Sequence, residues 1–542
     1  MTTLAAALRQ MAAVRPATTW RLDFAILGAV LALGLAISWV GYYGADDSSY
    51  LAAMLAWADD PPFLGTDHWS LRHALILPGA AVFAAFGPSE VGGAIMPLIS
   101  VVGSVVIIYF WIAGVFDRLT GFIAALLVAT MPLLTVDATR ATPDPVEAFF
   151  VLLGCFLFFR AGQATRQVPW LIGAGLAFGL AWLTRETMVF ALLAMSVLFL
   201  AGFRVPRVKY FIMAGAFLAI VGAEFGIYTI ATGDPLYRIN IAATTHLRAE
   251  PDVSGVASRI TSKLGSNETV REDGLTRLGN IALDSPLDPL LVVLVNQEFG
   301  LLFWAVFPAL LVTLLAMRRL TPEQRSLTIL LLTVGGIWFV MVSLQLVVSL
   351  GPRYFSVTSL LWVSFVAIAF FHLLRDKIPR LALLGLSGLI VTNWLGAYVD
   401  NDNPVHGQRV LTRLLGSAEY NDETIYSDPR TARYAWFLME TQGVTESRAK
   451  GAPPPAGGLF LYNPAYVDSA YSPSWPRSYP PREAFRPDQA WERIASYSQA
   501  PMFTGVIIDA LGLKSTLPFG IYRRLTQPNP PVTLYRVAQS AE

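Results

Sequence analysis

The strongest constraint on the fold is a series of eleven apolar runs that recur along most of the chain. They lie at 23–43, 91–115, 119–136, 145–159, 169–183, 187–203, 210–231, 299–317, 326–350, 354–374 and 381–398. A helix of about 20 apolar residues crosses the hydrocarbon core of a bilayer. Only 14% of the residues are charged, against about 25% in soluble domains. The pattern predicts a polytopic α-helical membrane protein.

A twelfth apolar segment, 71–86, is ambiguous because it has only 16 residues and contains Pro78. Its length favours a juxtamembrane or re-entrant helix over a span. The positive-inside rule decides the matter, since cytoplasmic loops carry an excess of Lys and Arg. If 71–86 does not cross, every basic cluster between spans shares one side with the N-terminus: 117–118, 160–166, 204–209, 318–325 and 375–380. We therefore predict about eleven spans plus one juxtamembrane helix, with the N-terminus cytoplasmic and the C-terminus outside.

The chain changes character near residue 400, where it becomes rich in proline, aromatic and charged residues. We predict a transmembrane domain over 1–399 and a soluble α/β domain over 400–542, called the tail below. The expected helices of the tail lie at 405–418, 430–440 and 487–496. The expected strands lie at 424–427, 458–462, 505–508 and 532–537.

Ionisable residues from the ends of different spans collect on the predicted external face. They are Asp46 and Asp47, the segments 59–73 and 137–144, Arg185 with Glu186, and the segment 351–354. Considered without the other segments, Asp46 and Asp47 are equally consistent with two solvated acidic residues in a loop beside a helix. A transporter more often places its ionisable site near the midplane, between two repeats, and no repeat is evident. The pattern favours an external reaction site.

Several short motifs in these segments resemble those of a known family. Asp46-Asp47-x-x-Tyr50 resembles the D-[D/E]-x-x-Y signature of the GT-C glycosyltransferases, in the family-39-like branch that holds protein O-mannosyltransferases and the lipid A aminoarabinose transferase. The segments 86–90 (FGPSE) and 138–144 (ATRATPD) resemble two further motifs of that branch. In 179–186 (GLAWLTRE), Arg185 stands where lysine is usual, and Arg353-Tyr354 resembles the "RY" that opens a late span.

The resemblance implies displacement at the anomeric carbon of a sugar carried on a polyprenyl phosphate. Asp46 matches the position of the general base, with Asp47 as its helper. The expected phosphate ligands are Arg185, Arg353 and Arg72. Further expected site residues are Asp144, Arg140, His73, Tyr50, Glu186 and Tyr354.

Each of these residues also has a structural interpretation. Arg185 and Glu186 would form an interfacial ion pair. Arg353 would extend its guanidinium from a helix end toward water, and Asp144 would cap the following helix. Arg72 and His73 would anchor the juxtamembrane helix.

The expected function is a glycosyltransferase on the periplasmic face of a bacterial inner membrane. Its acceptor is a lipid, a glycan or a protein, and the resemblance implies inversion of configuration. No cofactor is predicted, and a divalent metal beside Asp46, Asp47 and Asp144 stays open. The net charge of +1 gives no case for a nucleic-acid partner, and the single Cys155 excludes an intrachain disulfide. The competing classes are a flippase or transporter of lipid-linked sugars, and a non-catalytic assembly protein.

Overall fold

The computed structural model describes residues 20–248, 288–344, 351–400, 407–468, 480–497, 510–512 and 531–538. Up to residue 400 the described chain is helical: α1 Trp20–Ile37, α2 Asp46–Asp59, α3 His73–Phe86, α4 Glu90–Gly93, α5 Ile95–Val115, α6 Arg118–Thr130, α7 Pro132–Asp137, α8 Asp144–Ala161, α9 Val168–Thr184, α10 Val189–Leu200, α11 Arg207–Thr232, α12 Tyr237–Arg248, α13 Asp288–Val295, α14 Leu302–Leu315, α15 Pro322–Ser343, α16 Ser356–Ala367 and α17 Pro379–Asp400. Short 3-10 turns precede α10 and α16, and a π-helical segment, Ile368–Leu373, extends α16.

Six helical segments in the described part of the chain are long and apolar enough to cross a membrane. They are Trp20–Ile37, Ile95–Val115, Arg207–Thr232, Pro322–Ser343, Pro352–Leu373 and Pro379–Tyr398. Several other predicted spans are shorter helices, and the run 119–136 is divided into α6 and α7. The division falls at Pro132, which has no backbone N–H to continue α6 and is favourable at the first position of a helix. The count of eleven spans stays a prediction.

The loops that the sequence assigns to the cytoplasmic side lie together at one end of the helix bundle. Glu323, at the start of α15, bonds both to Arg204 and, at 2.6 Å, to Gln163. Arg118 forms an ion pair with Asp23 at 2.6 Å, which joins the start of α6 to the start of α1. Basic clusters that are far apart in sequence therefore share one end, as the charge pattern predicts.

The segment between α1 and α5 begins and ends at the opposite end of the bundle. The N–H of Tyr42 donates to Glu90 Oε2 at 2.6 Å. Helices α2 and α3 lie between these residues and pack closely, since a Cβ on Gly79 would collide with the side chain of Met54. The chain therefore returns to the end that it left, as a juxtamembrane α3 requires.

The tail contains a five-stranded sheet with strand order β2-β1-β3-β5-β4. Its elements are α18 Gly407–Leu415, β1 Ile425–Ser427, α19 Pro429–Tyr434, α20 Trp436–Gln442, β2 Ala449–Lys450, β3 Leu459–Tyr462, α21 Pro464–Val467, β4 Glu492–Tyr497 and β5 Val532–Arg536. Strand β1 is parallel to β2 and β3, whereas β5 is antiparallel to β3 and β4. The hydrophobic core of the tail forms between the sheet and α18, where Leu411, Leu415, Ile425 and Leu534 are fully buried.

One predicted element of the tail is wrong. The segment 487–496 does not form a helix, because Glu492–Tyr497 forms β4 and pairs with β5. Ala495 and Tyr497, two positions apart, both pack against the tail core, as the period of a strand requires. Three strands and the helix 405–418 are confirmed with slightly different bounds, and the helix 430–440 is divided into α19 and α20. The strand predicted at 505–508 lies outside the described residues.

Candidate functional site

Asp46 and Asp47 open α2 but have different environments. Asp47 is 5% exposed, and its carboxylate accepts four backbone N–H groups. Those of Tyr43 and Gly44 reach Oδ2 at 2.6 and 3.2 Å, and those of Ala45 and Ser48 reach Oδ1 at 2.6 and 3.1 Å. Burial raises the pKa of the Asp47 carboxyl, and the N–H groups oppose that rise. Asp47 therefore closes the turn that places Asp46.

We expect Asp47→Asn to destabilise the protein by about 1–3 kcal/mol, because an amide NH₂ would replace an oxygen that faces backbone donors. Thermal unfolding in nanodiscs measures this effect. The matched control is Asp60→Asn at the exposed end of α2, where we expect no shift. Equal unfolding temperatures for Asp47→Asn and the wild type would show that the turn does not depend on the carboxylate.

Asp46 is the more accessible acid, with about a third of its side chain exposed. Its Oδ2 accepts a hydrogen bond from Arg353 Nη1 at 3.0 Å. Arg353 comes from the turn before α16, 307 residues further along the chain. The structure thus brings the first acid motif and the late Arg-Tyr motif together.

A second arginine lies beside this pair. The guanidinium carbon of Arg185 lies 4.4 Å from the centroid of the Tyr354 ring, and that of Arg353 lies 5.4 Å from the same centroid. Arg185 forms a buried ion pair with Asp144, whose other oxygen accepts the Thr142 hydroxyl at 2.7 Å. Two cations therefore lie against one aromatic ring, an arrangement that attracts anions.

Arg72 is the third arginine, and its charge is the least compensated. Its side chain is 5% exposed, and its guanidinium carbon lies 5.7 Å from the Tyr50 ring centroid. Among the residues that the structure describes, its Nε and Nη1 atoms have no hydrogen-bond partner. It also precedes the N-terminus of α3, where the helix dipole already favours an anion. A buried cation with unused donors is costly unless an anion binds it.

Arg140 and His73 are two further predicted site residues, and each has its own contacts beside the three arginines. Arg140 bonds to Asp137. Both residues, together with Glu298, line a cavity of about 150 Å³. His73 Nδ1 lies 2.9 Å from the Leu71 carbonyl oxygen. Burial and the nearby Arg238 lower the pKa of His73.

Two structural interpretations from the sequence are wrong. Arg185 and Glu186 do not pair with each other, since Arg185 bonds to Asp144 and Glu186 bonds to Arg238 at 2.8 Å. Asp144 is not a capping residue, because α8 begins at Asp144 itself and its side chain makes no capping hydrogen bond. Its oxygens bond instead to Arg185 and Thr142.

Sequence reasoning missed the contribution of the tail. Arg409 Nη2 donates to Glu90 Oε2 at 2.6 Å and to the carbonyl oxygens of Val40 and Tyr42, each at 3.1 Å. Gln408 Nε2 donates to the carbonyl oxygen of Tyr43 at 2.8 Å. These contacts hold the segment that leads into Asp46. They span more than 300 residues, which a local motif does not indicate.

The two glycines of the segment 41–44 indicate that other parts of the chain approach this backbone, but they do not indicate which parts. Gly41 and Gly44 have φ of +66° and +77°, which favours glycine. A Cβ on Gly41 would collide with Glu90, and one on Gly44 would lie 2.9 Å from Tyr434 of the tail. Both glycines allow another part of the chain to approach the backbone.

Residues 77–224, which carry Asp144 and Arg185, match the family model of dolichyl-phosphate-mannose-protein mannosyltransferase. The structure of ArnT from Cupriavidus metallidurans in the apo state is similar to this chain, with a TM-score of 0.53 and 13% identity over 96% of this chain and 98% of that chain. The same protein bound to undecaprenyl phosphate gives a TM-score of 0.53 and 13% identity, over 96% and 99%.

The oligosaccharyltransferase of Archaeoglobus fulgidus is a further similar structure, with a TM-score of 0.47 and 14% identity over 81% of this chain and 68% of that chain. No curated protein matches the chain. The likeness to ArnT shows a shared fold. The family model matches the segment that holds Arg185, which together with Arg72 and Arg353 forms what we call the arginine cluster. The sequence match over residues 77–224 and the fold shared with ArnT together indicate a membrane glycosyltransferase of the GT-C superfamily.

Proposed function

We propose that this enzyme transfers a sugar from a polyprenyl phosphate to an acceptor hydroxyl of a lipid, a glycan or a protein, with Asp46 as the general base. The observation that carries the proposal is the placement of a partly exposed Asp46 against Arg353, beside Arg185. Undecaprenyl phosphate is bound in the structurally similar ArnT, which supports a donor of this class.

The reaction needs a base that accepts the proton of the acceptor hydroxyl and cations that stabilise the leaving phosphate. The acceptor oxygen attacks the anomeric carbon while its proton passes to Asp46. The bond from the anomeric carbon to the phosphate oxygen breaks, and the polyprenyl phosphate leaves with one additional negative charge. Arg353, Arg185 and Arg72 stabilise that charge through hydrogen bonds to the phosphate oxygens. A single displacement of this kind inverts the configuration.

The direct test uses the protein in nanodiscs with undecaprenyl phosphate that carries a radiolabelled sugar. We expect formation of undecaprenyl phosphate together with labelled product in the presence of a membrane extract that supplies acceptors. Donors of several sugar types are compared in parallel. If every donor stays intact but moves between the leaflets of a proteoliposome, the protein is a flippase and the proposal fails.

Arg72→Ala is expected to weaken binding of undecaprenyl phosphate about 10- to 100-fold, since a charge-assisted hydrogen bond contributes about 1.5–3 kcal/mol. The unfolding temperature is expected to stay equal or to rise, because Nε and Nη1 have no partner within the described protein. Binding is measured by competition with a fluorescent polyprenyl phosphate. A lower unfolding temperature with unchanged binding would instead assign Arg72 a structural role.

We further propose that the protein lies in a bacterial inner membrane with Asp46 and the tail on the periplasmic side. Cys155 is buried, so single cysteines introduced elsewhere report their own access. Asp60→Cys, at the exposed end of α2, should react with an impermeant maleimide in intact spheroplasts. Thr165→Cys, in the exposed turn after α8, should react only after lysis. The reverse pattern would contradict this orientation.

A metal ion is not part of the proposal. In the described ranges, no group of three or more His, Cys, Asp or Glu residues is placed to hold one. A divalent cation beside Asp46, Asp47 and Asp144 would bind through carboxylate oxygens. Donor consumption with and without EDTA tests it.

A further inference from the structure

A cavity of about 300 Å³ lies between α2, the segment that follows it and the tail. We call it the tail cleft, and the residues that matter here are Ser49 of α2, Phe63, Thr66 and Asp67 of the α2–α3 connection, and Arg433 and Trp436 of the tail. Arg433 and Trp436 also line a second cavity of about 470 Å³ that extends along the tail toward Glu446. The two cavities therefore lie next to each other, with Arg433 and Trp436 in the lining of both.

The tail cleft opens one helical turn from Asp46. Ser48, Ser49, Ala52 and Ala53, in the first two turns of α2, line the cleft, and Asp46 is the first residue of the same helix. Tyr50, the residue after Ser49, points in a direction about 100° away from it and contacts Arg72. The arginine cluster and the tail cleft therefore lie against different but adjacent faces of α2, with Asp46 at the start of the helix.

Hydrogen bonds hold the tail in place along the wall of the cleft. The Trp436 indole N–H donates to the Ser48 hydroxyl at 2.7 Å. The contacts of Arg409 and Gln408 with Glu90 and with the segment before Asp46 also fix the position of the tail. The cleft is therefore preformed, which lowers the cost of binding a ligand.

The lining of the cleft suits a saccharide. The rings of Trp436 and Phe63 offer apolar faces to the C–H groups of a pyranose. The Thr66 hydroxyl, the Asp67 carboxylate and the Arg433 guanidinium offer polar partners for sugar hydroxyls. A volume of about 300 Å³ is at the lower end of small-molecule sites, and the second cavity has room for further sugar units.

We propose that the tail cleft binds a saccharide acceptor and presents its hydroxyl to Asp46, so that the tail contributes to acceptor specificity. This inference rests on the proposed transfer reaction. It predicts that residues of the tail set the affinity for the acceptor, whereas the arginines near Asp46 set the affinity for the donor.

The test measures protection of Thr66→Cys, at the exposed rim of the cleft, from an impermeant maleimide. The protein is held in nanodiscs, because alkyl glycoside detergents would occupy the cleft. The probes are chitobiose, maltose and a phosphorylated hexosamine disaccharide, and a serine- and threonine-rich peptide is the comparison. We expect at least one disaccharide at millimolar concentration to slow labelling several-fold.

Two further variants make the test specific. Protection should be lost with Arg433→Ala and with Trp436→Leu, whereas Arg413→Ala, an exposed tail arginine that does not line the cleft, should retain it. Arg433 is exposed, so its replacement does not threaten folding. Protection by no disaccharide, or by the peptide alone, overturns the proposal.

The outcome is separable from that of the proposed function. Labelling requires no donor, and donor consumption by the wild type is measured independently. Donor consumption without saccharide protection removes the cleft proposal alone. Saccharide protection without donor consumption leaves a saccharide site and removes the transfer reaction.

Discussion

Asp46→Asn is expected to lower the rate of sugar transfer by about 10²- to 10⁴-fold, the usual contribution of a positioned general base. The amide keeps the shape of the side chain but cannot accept the proton of the attacking hydroxyl. Folding should hardly change, because a partly exposed ion pair contributes about 0–1 kcal/mol. The measurement is the initial rate of polyprenyl phosphate release from a labelled donor.

Asp59→Asn at the other end of α2 provides the matched control, since Asp59 is exposed and is expected to retain the wild-type rate. Donor affinity gives a second readout. Asp46 accepts a bond from Arg353, so its neutralisation frees that guanidinium, and binding of undecaprenyl phosphate should stay equal or become tighter. Transfer at the wild-type rate in Asp46→Asn would refute the base assignment.

The sequence alone indicates that the charged groups of the candidate site gather at one end of the helix bundle. Hydropathy and the distribution of Arg and Lys depend on short segments, so they are readable without tertiary contacts. The structure brings Asp46, Arg353, Arg185 and Asp144 to the same end, as the charge pattern requires. It also confirms the mostly helical fold with a small sheet in the tail.

What the sequence did not indicate depends on backbone geometry and on distant contacts. Two adjacent aspartates look equivalent in a motif, but the turn directs four N–H groups to Asp47 and leaves Asp46 accessible. The pairing of Arg409 with Glu90 joins positions 319 residues apart. Strand β4 forms because β5 offers an unpaired edge, and this context overrides a helical pattern.

The buried pair of Arg185 and Asp144 gives the largest expected effect on stability. Arg185 is 6% exposed and Asp144 is 2% exposed. Arg185→Ala would leave the Asp144 carboxylate buried without its cation, which costs about 3–5 kcal/mol. Thermal unfolding in nanodiscs should report this loss, and binding of undecaprenyl phosphate should weaken as well, because one of the three proposed phosphate ligands is removed.

Replacement of both partners separates the two roles of Arg185. The double variant Arg185→Met with Asp144→Leu removes both charges and fills a similar volume, so most of the stability should return. Donor binding should stay weak, since the phosphate still lacks the guanidinium. Arg185→Lys retains the charge without the bidentate geometry, and we expect intermediate binding. If the double variant restored both stability and binding, Arg185 would act only as the partner of Asp144, and the phosphate would depend on Arg353 and Arg72 alone.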